Sequence, residues 1–279
     1  MWLLPPGDLQ NRITHRAMTP TCHTVHVGPV DIMARLRALR DPRMRVLALV
    51  EAFREDDPVA WVHAISAIMA RAHIHDDAAA IEALEAVTHA AADAGLPYTT
   101  RQRLYIAGLE AQLPAVARLF LVASPPVAGA AQLARSLAPE RSLKPTGRPL
   151  TLGERKSLAR THSREQILLL LRDPHPAVVA ILLDNPHLTE SDVVRIASLR
   201  PAVPASLTRL AAHPKWSVQH AVKRALVLNP STPLADAIRI ATTLRAQELR
   251  ELAGDHSLPE PLRTHAAEVY ASAIRRARA

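Results

Sequence analysis

The sequence predicts an all-α fold, an α-solenoid of stacked helical hairpins, on three observations. First, the segment Asn185-Pro186-His-Leu-Thr-Glu-Ser-Asp192-Val-Val-Arg195-Ile-Ala197 is matched 44 positions later by Asn229-Pro230-Ser-Thr-Pro-Leu-Ala-Asp236-Ala-Ile-Arg239-Ile-Ala241. A period of about 40 to 47 residues belongs to two-helix units that stack, because one unit alone leaves its apolar face in water. Second, three helix ends recur: Leu170-Leu-Arg-Asp173-Pro174, Leu210-Ala-Ala-His213-Pro214 and Leu252-Ala-Gly-Asp255-His256, each followed by a new apolar-periodic stretch. Third, strand signals are missing. The chain has 8 Gly and no Asn-Gly or Asp-Gly turn between alternating runs, so it lacks hairpin chemistry.

Residues 1–29 contain Pro5-Pro6 and three His but no sustained apolar period. They are expected to be a loosely packed arm, or to precede a true start near Val30 or Met33. From Val30 the pattern turns helical, and residues 30–138 are expected to form an N-terminal region of helical hairpins, with helices near 31–39, 42–55, 58–72, 77–94, 99–112, 114–123 and 127–138. Asp41-Pro42 and Asp57-Pro58 stop one helix and open the next. Residues 139–150, with spaced prolines and no apolar face, read as a linker or long loop. Residues 151–279 carry the repeats. Capping-box spacing occurs at Thr99/Gln102, Thr151/Glu154, Ser163/Gln166, Thr189/Asp192 and Ser257/Glu260, and Thr232 before Pro233 reads as a further cap. Leu188 and Val193 stand at the positions of a hydrophobic staple.

The Asp-Pro and Asn-Pro junctions, the Leu-Ala-x-His/Asp ends and the Ile-Ala cores around Ile196-Ala197 and Ile240-Ala241 resemble bacterial HEAT-like repeats and the related leucine-rich-repeat-variant arrays. The resemblance covers about 164–274 well and 31–138 loosely. It implies a superhelix of the HEAT/armadillo kind and a role in protein association, and it supplies no catalytic residue.

Hydrophobic residues make up 48% of the chain and aromatics 3%, so the core is expected to be aliphatic. No apolar run reaches the length of a membrane span. A single cysteine, Cys22, allows no internal disulfide, and the start lacks the basic n-region of a secretory signal, which makes the cytoplasm the expected compartment. Charge is uneven. Residues 1–140 hold 13 Lys+Arg against 14 Asp+Glu, whereas 141–279 hold 21 against 12. A basic second half points to an acidic partner.

Candidate chemistry is sparse. His73-Ile-His75-Asp76-Asp77 offers metal-ligand types, but one short stretch seldom closes a site, and Asp76 or Asp77 is well placed as an N-cap. No nucleophile elbow, phosphate loop or dinucleotide fingerprint occurs, so no cofactor and no enzymatic activity is expected. Arg195 and Arg239, equivalent in consecutive units, are expected to form a ladder for carboxylates or phosphates, with Lys215, Lys223, Arg224 and Trp216 beside them. The expected function is a scaffold that docks an acidic protein. Its alternative is nucleic-acid binding like that of the HEAT-like glycosylases for alkylated bases, which this chain resembles in architecture without matching their site residues. Trp61 and Trp216 are read as packing residues. Val194, Ile196 and Ile240 are expected in the core.

Overall fold

The computed structural model describes residues 29–74, 77–122 and 150–277; the expected N-terminal arm, the helix at 127–138 and the linker therefore lie outside the described residues, apart from Pro29 and Leu150. Fifteen helices and no strand are present among the described residues. The first six are α1 (Pro29–Ala38), α2 (Pro42–Glu55), α3 (Pro58–Ile74), α4 (Ala78–Ala92), α5 (Tyr98–Glu110) and α6 (Pro114–Leu119). After the undescribed stretch come α7 (Leu152–Leu158), α8 (Arg164–Leu170), α9 (Pro176–Leu183), α10 (Glu190–Ser198) and α11 (Pro204–Ala211). The chain ends with α12 (His220–Val227), α13 (Leu234–Thr242), α14 (Ala246–Gly254) and α15 (Glu260–Ala277).

Proline at the first helical position and an acidic cap start several of these helices. Asp41 accepts from the Arg43 N–H at 2.8 Å, and Asp57 accepts from that of Val59 at 3.1 Å, each satisfying a donor that a helix N-terminus leaves open. The boxes at Thr151/Glu154 and Thr189/Asp192 form as read. Others do not. Ser163 makes no side-chain cap, α5 opens on Pro97 rather than Thr99, and Ser257 bonds Asp255 instead of opening α15. Thr232 turns back to the Leu226 carbonyl at 2.6 Å, because a buried hydroxyl takes the nearest free acceptor.

The N-terminal helices gather around α3, which packs against α1, α4, α5 and α6 and buries residues on nearly every side. The alanine-rich α4 allows close approach. So does Gly108, where an added Cβ would lie 2.8 Å from the Ala117 Cβ and force α5 away from α6.

In the second half, next-but-one helices are neighbours: α9 packs on α11, α11 on α13, α13 on α15, and α10 on α12. Side-chain contacts in this half recur at a spacing shorter than the sequence match. Arg164 reaches Asp192, Thr208 reaches Asp236 and His220 reaches Glu248, each across 28 positions. The 44-residue match therefore relates α10 to α13, which belong to opposite rows.

What recurs locally is the junction. Asn185 is buried, with Nδ2 donating to the Ala159 and Thr161 carbonyls at 2.9 Å and Oδ1 accepting from the His187 N–H. Asn229 repeats this with the Ala197 and Leu199 carbonyls at 2.7 and 2.9 Å and the Ser231 N–H. Each asparagine closes its own turn and ties down the end of an earlier helix.

Two apolar clusters form. One runs from Ala159 to Leu226 in the second half; the other joins the N-terminal helices to α13, α14 and α15. The core thus unites segments that the linker separates in sequence. Ile196 is buried as expected, while Val194 and Ile240 are partly buried and pack against the second-half cluster.

Ile196→Ala is expected to destabilise the protein by about 2–5 kcal/mol through cavity formation. Asn229→Ala should cost about 1–3 kcal/mol, because it leaves two helix-end carbonyls without their donor. Urea unfolding followed by circular dichroism measures both.

Candidate functional site

The expected arginine ladder does not form. Arg195 is exposed on α10, but Arg239 is 7% exposed. Its Nε donates to the Leu119 carbonyl at 2.9 Å, a second nitrogen donates to Leu121, and Nη1 lies 3.2 Å from Asp236. It satisfies carbonyls at the C-terminal end of α6, where a helix leaves acceptors open and favours a cation. Equivalent local sequence did not produce equivalent surroundings, since α10 and α13 face different neighbours.

The other expected docking residues divide. Lys223 is also buried, with Nζ 2.5 Å from Glu85 on α4, so it joins the halves of the chain rather than facing a partner. Arg224 is exposed and shared between Glu248 and Glu251 at 3.5 and 3.2 Å. Trp216 is buried, its indole N–H donating to the Leu183 carbonyl at 2.8 Å; it covers the end of α9 and presents no stacking face. Lys215 is exposed, with Nζ 4.1 Å from the Trp216 ring centroid. Trp61 packs edge-on against Phe53 at 4.9 Å in the core.

Of the histidine–aspartate stretch, His75 and Asp76 lie outside the described residues. Asp77 caps α4 by accepting from Ala79 and Ala80 and pairs with Arg71 at 2.6 Å. His73 borders a cavity of about 740 Å³ where α3 and α4 meet α12 and the turn from α13 into α14; Glu85, His220, Lys223 and Arg245 also line it. Most of its charge is spent internally, on Lys223 with Glu85 and on His220 with Glu248 at 2.9 Å. Behind it His265 on α15 is fully buried, with Nε2 2.8 Å from the Thr242 hydroxyl. Burial first, then Arg118 and His73, push its imidazole down to about 3.

The acids carry a further signal in the sequence. No Asp or Glu occurs between Asp192 and Asp236, although six Lys or Arg do. The flanking acids turn inward. Asp192 is fully buried against Arg164, which holds its carboxyl at about 2, and Asp236 is buried with Thr208 and Arg239. Within this stretch Arg195, Arg209 and Lys215 are exposed and make no ion pair among the described residues.

A second groove, of about 380 Å³, opens at the edge of the same stretch, between the entry to α9, the C-terminal end of α10 and the start of α11. Val179, Ile196, Leu199, Val203 and Leu207 give it aliphatic walls. Arg172 and Arg200 stand exposed at its rim. Asp173 also lines it, but its carboxylate is paired with Arg155 at 2.7 Å.

Comparison with protein-family models, curated proteins and solved structures found no match for this chain.

Two outcomes follow from these placements. Arg239→Ala is expected to destabilise by about 3–5 kcal/mol, because it leaves Asp236 buried beside open carbonyls, whereas Arg195→Ala should leave the unfolding midpoint unchanged. His265 titrates near 6.5 when unfolded and well below that when folded, so the unfolded chain binds the proton first and stability falls as pH drops from about 6.5 toward 3. Thermal melts at pH 7.5 and 5 should show this fall, and His265→Gln should reduce it.

Proposed function

We propose that the protein is a non-catalytic helical-repeat scaffold, an α-solenoid of stacked hairpins, that docks an acidic protein through its second half. The observation that carries this reading is the acid-free stretch between Asp192 and Asp236 with its exposed cations Arg195, Arg209 and Lys215, which make no ion pair among the described residues. A surface with outward cations and inward acids attracts a row of carboxylates and raises the rate of encounter. The buried Trp216 favours a protein partner over single-stranded nucleic acid, since base stacking needs an exposed aromatic face.

The triple variant Arg195→Glu, Arg209→Glu and Lys215→Glu is expected to abolish binding of fluorescent polyglutamate at low salt with no change in the circular dichroism spectrum, as exposed charges contribute little to the fold. Mobility-shift titration with arbitrary duplex DNA supplies the counter-test. A tight shift that weakens steeply between low and physiological salt would replace the protein partner with nucleic acid.

A further inference from the structure

We propose that the groove between α9, α10 and α11 is a specific seat within this docking surface, and that it takes an extended peptide segment carrying a carboxylate beside an aliphatic side chain. The inference rests on the acidic-partner reading and adds a location and a recognised chemistry to it. Three features of the groove converge on an anion.

The first is the rim. Arg172 is exposed and makes no ion pair among the described residues, while Arg200 spends one nitrogen on the Leu228 carbonyl at 2.6 Å and keeps the rest of its fork. With Asp173 neutralised by Arg155, both rim charges are uncompensated within the groove, and a guanidinium fork suits a carboxylate.

The second is the start of α11. Its N-cap residue Val203 supplies no side-chain cap and Pro204 occupies the first turn, so no side chain offsets the positive end of the helix dipole where Val203 and Ser206 line the groove.

The third is Ser206. It lines the groove, is 6% exposed, and its buried Oγ has no hydrogen-bond partner among the described residues. A buried hydroxyl without a partner costs free energy, and a bound carboxylate gives it an acceptor.

The walls choose among anions. Val179, Ile196, Leu199, Val203 and Leu207 offer burial to a leucine-type side chain and no aromatic face to a base. The volume falls in the range of about 300–1,000 Å³ typical of ligand clefts. A peptide that alternates acidic and aliphatic residues places a carboxylate and an apolar side chain within reach of the two chemistries at once.

The test uses the full chain and two labelled peptides in fluorescence anisotropy at physiological salt, one alternating leucine with glutamate and one alternating serine with glutamate, alongside polyglutamate. The expected result is that the leucine peptide binds at least tenfold more tightly than the serine peptide. Arg172→Glu should remove about tenfold of that affinity, Ser206→Ala should weaken it several-fold, and Arg103→Glu, exposed on α5 and outside the docking stretch, should change it little, with melting temperatures showing that each variant folds.

Equal binding of the two peptides, or displacement of the leucine peptide by inorganic phosphate at similar concentration, would overturn the aliphatic-carboxylate assignment. Insensitivity to Arg172→Glu, with retained polyglutamate binding that is lost in the triple surface variant, would overturn the groove and leave the docking reading intact. Failure of every acidic probe to bind would remove both.

Discussion

The structure hinges on a cation placed where apolar packing alone would be indifferent. Arg239 enters the seam between α13 and α6 and donates to the carbonyls of Leu119 and Leu121 while holding Asp236. Apolar burial drives the C-terminal helices onto the N-terminal group, but that attraction has no direction. A guanidinium must meet its acceptors in one geometry, since a buried charge without partners costs several kcal/mol. The neighbouring bridges Arg118 to Glu268 and Lys223 to Glu85 act on the same seam. The three pairings cross more than a hundred positions of sequence, and together they set how the two ends of the chain meet.

Within the second half of the chain a different device sets the register. Asn185 and Asn229 use their amides to satisfy earlier helix ends, and the acids Asp192, Asp236 and Glu248 each reach a partner 28 positions back. These contacts turn a row of short helices, none of which buries much area by itself, into a continuous core from Ala159 to Leu226. They also consume carboxylates. The inward turn of Asp192 and Asp236 withdraws their carboxylates from the exposed Arg195, Arg209 and Lys215, so the charge left around these three is a by-product of how the helices are clamped.

The same logic explains why two large openings differ in promise. The cavity at the seam has its ionic groups largely paired with one another, which leaves little unspent charge for a ligand. The smaller groove at α10 and α11 combines two rim arginines, an uncapped helix start and an unpartnered hydroxyl. Unmet polar valence, rather than volume, distinguishes it.

The helical class, the boundaries of most N-terminal helices, the Asn-Pro and Asp-Pro junctions and the capping boxes at Thr151 and Thr189 are legible in the sequence, because these depend on a few adjacent residues and on φ preferences set locally. Burial of Ile196 followed from periodicity for the same reason. The sequence also held the acid-free stretch, legible as a run without carboxylates once the flanking acids are known to face inward. The tertiary structure alone decided that Arg195 faces water while Arg239 and Lys223 are buried, and that Trp216 covers a helix end. A match of local motif fixes a residue's place on its own helix, but its surroundings depend on which helix lies opposite. With next-but-one helices as neighbours and a C-terminal end packed onto the N-terminal core, residues 44 positions apart share a sequence and not an environment.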